Sequence, residues 1–237
     1  MAVIAPQDVT LLNEQTSVLV DLGNYTTAKG DQAQATDYYQ QARTLLEHSR
    51  TLDPKYPDTY VRISDLTRQI EKDLDAATTI YLDALSHNPN ALNNSIEGIT
   101  TDLKTRPDLL LKLREAYTGI ATTQEADLAT AAQNGTDVSA LRAQVAIYQT
   151  ITGLLAVRNG DVAGSVTAYR RAVELQPLNP TYSRNYSIVL SDTVKYAEAI
   201  AETQRLITQL RGQTGNEQTI AQAEQLIALF ERVRGGK

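Results

Sequence analysis

The strongest constraint in this chain is a recurring spacing of small and aromatic residues. In Ile151–Pro180, Gly153 and Ala156 share a helical face, and Asn159-Gly160-Asp161 reads as a tight turn. Ser165-x-x-x-Tyr169-x-x-Ala172 follows, and Pro177 stops the second helix. Small residues at those positions let two helix backbones come close, and Tyr169 is the knob between them. The slots recur as Gly23 with Ala35-x-x-x-Tyr39-x-x-Ala42, and as Ala77-x-x-x-Tyr81-x-x-Ala84 followed by Pro89. One such pair cannot bury its own apolar face, so it must stack on others of its kind.

This spacing resembles the tetratricopeptide repeat (TPR). The resemblance implies an all-α fold, a right-handed solenoid of antiparallel helix pairs with about five repeats and a C-terminal capping helix. The whole chain, 1–237, is expected to form one such domain. Repeats are expected at 8–54, 57–89, 90–133, 137–177 and 180–211, with the capping helix at 214–234.

Local signals place the helix ends. Asp31, with Gln34 after it, reads as an N-cap, and Pro57 as a first helical residue. Repeat 2 carries one extra residue before its second helix. Repeat 3 keeps little of the pattern beyond Gly98; Asn90 is expected to cap its first helix, and Pro107 to open a long second helix reaching Gln133. Asp137 should cap the next helix, and Asn179-Pro180 the start of repeat 5, where Thr203 and Leu206 replace the aromatic and the small residue. Thr214 and Glu217 stand at capping-box spacing before a helix whose apolar face includes Ala223, Ile227 and Phe230. That helix is expected to cover repeat 5 without touching a ligand.

Repeats start near residues 16, 57, 91, 146 and 180, so two intervals exceed ~34 residues by roughly one and three heptads. Whole heptads lengthen helices while keeping nearly the same face inward. The second excess predicts a helical hairpin around the Asn134–Asp137 turn, with Leu113, Tyr117 and Leu128 opposite Leu141, Val145 and Tyr148. Such lengthened helices offer a surface away from any groove, suited to self-association as a homo-oligomer.

Composition removes several function classes. The 237 residues contain no cysteine, which excludes a thiol site, and neither of the two histidines has a second one at i+4 to make a metal pair. His48 and His87 read as packing or surface residues, and Asp73 and Asp75 as carboxylates at a helix start. There is no GxSxG, P-loop or calcium-loop motif, so no catalytic, cofactor-binding or metal residues are assigned and the chain is not expected to be an enzyme. The net charge of −6 is interspersed, and no Lys/Arg block suggests nucleic-acid binding. No apolar run is long enough for membrane insertion, and MAVIAPQDVT lacks the basic start of a signal peptide. Localisation is left open by these features.

What remains is binding. The TPR resemblance implies a protein-interaction scaffold that takes a peptide or protein segment on a concave face lined by the first helix of each repeat. Carried over by phase, that face includes Val20, Asn24 and Thr27 from repeat 1, and Arg62, Asp65 and Arg68 from repeat 2. Repeat 4 supplies Thr150, Leu154 and Arg158, and repeat 5 Arg184, Ile188 and Asp192. Chaperone-adaptor TPR domains hold a C-terminal carboxylate with a Lys/Asn clamp; Asn24 is present here, but Val20 stands at the lysine position, which argues against that clamp. Arg158 and Arg184 favour an acidic partner. The general style of the repeats also resembles TPR tails of bacterial membrane glycan polymerases and ligases of the O-antigen type, which would make the chain a regulatory or tethering domain of a larger protein.

Overall fold

The computed structural model describes residues 7–93 and 95–236. Its regular structure is helical, with no strand among the described residues. The chain divides into two compact units, Met1–Leu109 and Leu110–Lys237.

In the first unit α1 (Val9–Ala28) and α2 (Gln32–Leu52) form an antiparallel pair. Asp8 caps α1, its carboxylate accepting from the Thr10 amide at 2.8 Å, and Asp31 caps α2 through the Gln34 amide at 3.0 Å. The turn between them is a Schellman motif. Gly30 has φ +84°, its amide reaches Thr27 O at 3.0 Å, and the Asp31 amide reaches Thr26 O at 3.1 Å. Gly23 faces Tyr39 so closely that any β-carbon there would collide with the ring.

The next pair is α3 (Pro57–Leu66) and α4 (Leu74–His87). Between them lies a π-helical turn, Thr67–Glu71, which ends at Lys72 with φ +62°. This turn absorbs the extra residue of repeat 2: one residue is looped into a wider turn, and the partner slots stay in register. Ser64 fills the small slot, and its hydroxyl donates to Ala77 O at 3.1 Å.

Repeat 3 departs from expectation. Asn90 does not open a helix. A 3-10 turn occupies Pro89–Leu92, and α5 runs only from Ile96 to Asp102 before a second 3-10 turn, Leu103–Thr105. Ser95 donates its hydroxyl back to Leu92 O at 2.8 Å, the local bonding by which serine competes with a helix. Buried Leu92, Ile96, Ile99 and Leu103 still hold the segment in place.

The unit boundary falls in the first turn of α6, Pro107–Gln133. Helix α7 (Ser139–Arg158) returns antiparallel after a turn with Gly135 at φ +69°. It begins beyond Asp137, whose carboxylate accepts from the Ser139 amide at 2.9 Å. The expected hairpin forms: Tyr117 and Tyr148 meet at 6.4 Å between ring centroids, and Leu128 packs with Val145, Ala146 and Leu175. Its middle is also tied to α8 (Val162–Leu175), because Arg171 grips Glu125 with two hydrogen bonds of 2.8 Å. That guanidinium holds the Glu125 carboxyl below its ordinary range. Asp161 is depressed likewise, first by the Gly164 amide that it caps and then by Arg114.

Helices α9 (Pro180–Asp192) and α10 (Tyr196–Leu210) form the last full pair. At the slots 34 residues after Gly153 and Tyr169 stand Ser187 and Thr203, and the Thr203 hydroxyl donates to Ser187 Oγ at 3.0 Å. A buried hydroxyl pair thus replaces the glycine–tyrosine contact. Helix α11 (Glu217–Arg234) packs on α10 and inserts Phe230 beside Leu190 and Ala199. The Thr214 capping box does not form: α11 begins at Glu217, whose side chain accepts from the Gly215 amide at 3.3 Å.

Candidate functional site

Each unit holds an open cleft between the first helices of neighbouring pairs. In the second unit α10 packs against both α9 and α11, while those two touch each other little, and a space of about 550 Å³ opens between them. Thr203 and Leu206 of α10 lie at its base. Ala223, Leu226 and Leu229 give the α11 wall an apolar character, and Gln222, Gln225 and Thr219 add neutral hydrogen-bonding groups.

Charge in this cleft is sparse. Ser183 donates to Glu202 at 2.7 Å, and Glu202 is also held by Arg205 at 2.7 and 2.8 Å. Arg205 in turn reaches Pro177 O at 3.1 Å, so both charges serve the fold. Among the described residues Arg184 is the one charged side chain lining the cleft; it is exposed, and it forms no ion pair with any of them. A cation beside an apolar wall and amide side chains can pair a carboxylate while accepting an aliphatic side chain next to it.

The cleft of the first unit, about 200 Å³, lies between α1 and α3 with its π turn. Thr16, Val20 and Asp21 line one side, and Arg62, Asp65 and Ile70 the other. Its arginine and one carboxylate are already paired. Arg62 donates to Asp58 at 3.0 Å and also bonds the Ser17 hydroxyl. Asp65 accepts from Arg68 at 2.7 Å.

The residues expected on the binding face therefore divide. Arg62 and Arg184 line clefts, as do Val20 and Asp65. Arg68 does not; its side chain is only 9% exposed, bound to Asp65 and Asp102 and lying 3.5 Å from Gly98 O. Asn24 and Thr27 are exposed on α1, where Asn24 Oδ1 accepts from the Tyr39 hydroxyl at 2.8 Å and Thr27 lies 3.3 Å from it. Ile188 packs in the cluster around Leu190 and Phe230, and Leu154 is half-buried on α7. Arg158 is exposed, and its charge partly offsets the burial that pushes the Tyr169 hydroxyl up to about 12. Thr150 is half-buried, bonded to Ala146 O at 2.9 Å, and Asp192 is exposed at the end of α9.

Sequence reasoning missed the wall supplied by α11, having assigned that helix to capping alone. The signal was available: Gln222 stands 34 residues after Ile188, where one further step of the repeat phase would place it. No group of His, Asp and Glu side chains suited to a metal ion occurs among the described residues.

By its helix pairs, the chain has an all-α helical-repeat fold whose small-residue and tyrosine slots resemble those of the tetratricopeptide repeat. No protein-family profile matches the chain, and no curated protein matches it. Among solved structures it is similar to Pseudomonas aeruginosa PilF, with 16% identity, 95% of this chain and 99% of that one covered, and a TM-score of 0.42. PilW, described as a widely conserved type IV pilus biogenesis factor, aligns at 17% identity over 91% of this chain and 94% of its own, TM-score 0.42. TTC0263, a thermophilic TPR protein of Thermus thermophilus, aligns at 15% identity over 89% and 99%, TM-score 0.36. The assignment of the repeats rests on the chain's own geometry: the Gly23–Tyr39 and Gly153–Tyr169 contacts and the Schellman turns.

Proposed function

We propose that the chain is a non-catalytic protein-interaction module, and that its principal ligand site is the cleft between α9 and α11. The observation that carries this reading is Arg184, a cation without an ion-pair partner among the described residues, in a cleft whose neighbouring charges are engaged in the fold. The ligand is a peptide or protein segment bearing a carboxylate beside an aliphatic side chain. The carboxylate pairs with Arg184, and the aliphatic group covers Leu226 and Leu229. Gln222, Gln225 and Thr219 supply hydrogen bonds to a peptide backbone. The ion pairs of the α1/α3 cleft make it the weaker site, because a ligand would have to displace them there.

A peptide library displayed on the intact chain tests this reading. Enriched sequences should carry Asp, Glu or a free C-terminus next to Leu, Ile or Val. Arg184→Ala should weaken a selected peptide by roughly five-fold or more, and Arg184→Lys by less, since lysine keeps the charge without the fork. Equal retention by Arg184→Ala would exclude the cleft as the site.

A further inference from the structure

The outer faces of the first and last helices differ. On α11, the side away from α10 presents Gln218, Ala221, Glu224, Ala228 and Arg232, all exposed and none a large apolar residue. A terminal repeat needs such a polar outer face to remain soluble alone. On the N-terminal pair, the side of α1 and α2 facing away from α3 is apolar. Leu11, Val18 and Leu22 are 42%, 59% and 39% exposed, and Leu19 and Leu45 line a shallow depression of about 670 Å³ between the helices. No described residue covers this face.

We infer that this α1/α2 face is a self-association surface, on which a second copy of the chain packs by the same face. Three observations select that occupant. The rim is mostly uncharged: Gln15, Gln40, Gln41 and Thr44 surround the depression, and one carboxylate, Asp37, lines it and accepts from Gln41 at 2.8 Å. When two such faces meet, the neutral amide and hydroxyl side chains of the rim can hydrogen-bond between copies and Asp37 is the one lining charge among the described residues, whereas a strongly acidic partner would find nothing to pair with. The size is adequate. Helix α1 has 20 residues, ~30 Å of length, and two helices each ~10 Å wide give ~600 Å² per copy, or ~1,200 Å² in total, within the range of specific interfaces. The polar outer face of α11 also offers no apolar complement, so a head-to-tail filament is disfavoured and a closed, two-fold pair is left.

This surface is separate from the α9/α11 cleft and does not depend on the ligand proposed for it. Sedimentation of the full chain between about 1 and about 300 µM should show a monomer–dimer equilibrium. Val18→Glu with Leu22→Glu, both at exposed positions, should abolish the dimer while leaving the far-UV spectrum and thermal midpoint in place. Leu229→Glu, in the other unit, should leave it intact. Because the chain has no cysteine, Val18→Cys gives a second readout that does not depend on a charged variant folding. A short bis-maleimide should link two copies through Val18→Cys and not through a Leu229→Cys control. A wild-type chain that stays monomeric throughout, or a dimer indifferent to the α1 substitutions, would overturn the inference.

Discussion

A β-carbon added to Gly153 would lie 2.9 Å from Cε1 of Tyr169, closer than two carbons can rest. Glycine is therefore required at that slot because the tyrosine of the paired helix fills the place of its side chain. Gly23 stands in the same relation to Tyr39. Replacing either glycine with leucine should overpack its helix pair and lower stability by ~1–3 kcal/mol. Thermal or urea unfolding checks this, and unchanged midpoints for both variants would contradict the contact.

Val194 closes the turn after α9 with φ +63°, in the position that Gly30 and Gly160 occupy in the other Schellman turns. The Lys195 amide reaches Leu190 O at 2.9 Å, as the Asp161 amide reaches Ala156 O at 2.9 Å. A β-branched residue in this left-handed conformation presses its Cβ on the neighbouring carbonyl, at a cost of ~1–2 kcal/mol. The side chain is 72% exposed, so little burial is lost on its removal. Val194→Gly should stabilise the protein by roughly 0.5–1 kcal/mol, after allowing for the freer unfolded chain. A lowered thermal midpoint would mean that Val194 makes a favourable contact outweighing the strain.

The Glu125–Arg171 bridge gives an acid-dependent contribution to stability. Arg171 holds the Glu125 carboxyl below its ordinary 4.5, so the folded state favours the ionised form more than the unfolded chain does. The added stability is fully present above that ordinary value and disappears as pH falls through the lower folded value. Glu125→Gln removes this titration, and its thermal midpoint should decline less steeply than the wild type's between about pH 5 and about pH 3. Parallel acid limbs in the two proteins would show that the bridge contributes nothing.

Much of the helix framework was legible because its signals act within one turn of the chain. An aspartate accepting from an amide three residues on, a proline in the first turn and a glycine in the left-handed position each decide a boundary alone, as at Asp31, Pro107 and Gly160. The spacing of Gly153, Ser165, Tyr169 and Ala172 located the closest helix contact, since 3.6-residue periodicity leaves a small residue and a knob few other places to meet. The failure in repeat 3 was local as well: Ser95 turned its hydroxyl back onto the Leu92 carbonyl, and the expected start at Asn90 was lost.

The binding surface depended on tertiary structure because a side chain's availability is set by partners far along the chain. By repeat phase Arg68 and Arg184 were both expected on the binding face. Asp102, 34 residues beyond Arg68, takes that arginine out of solvent, while no described carboxylate pairs with Arg184. Helix α11 likewise reads in sequence as an amphipathic cap, and only its divergence from α9 over the floor of α10 makes its second face a wall. Hydrophobic periodicity specifies which face of a helix is buried. How far two helices on a common support splay apart follows from the side chains wedged between them, and that distance decides whether a cleft exists.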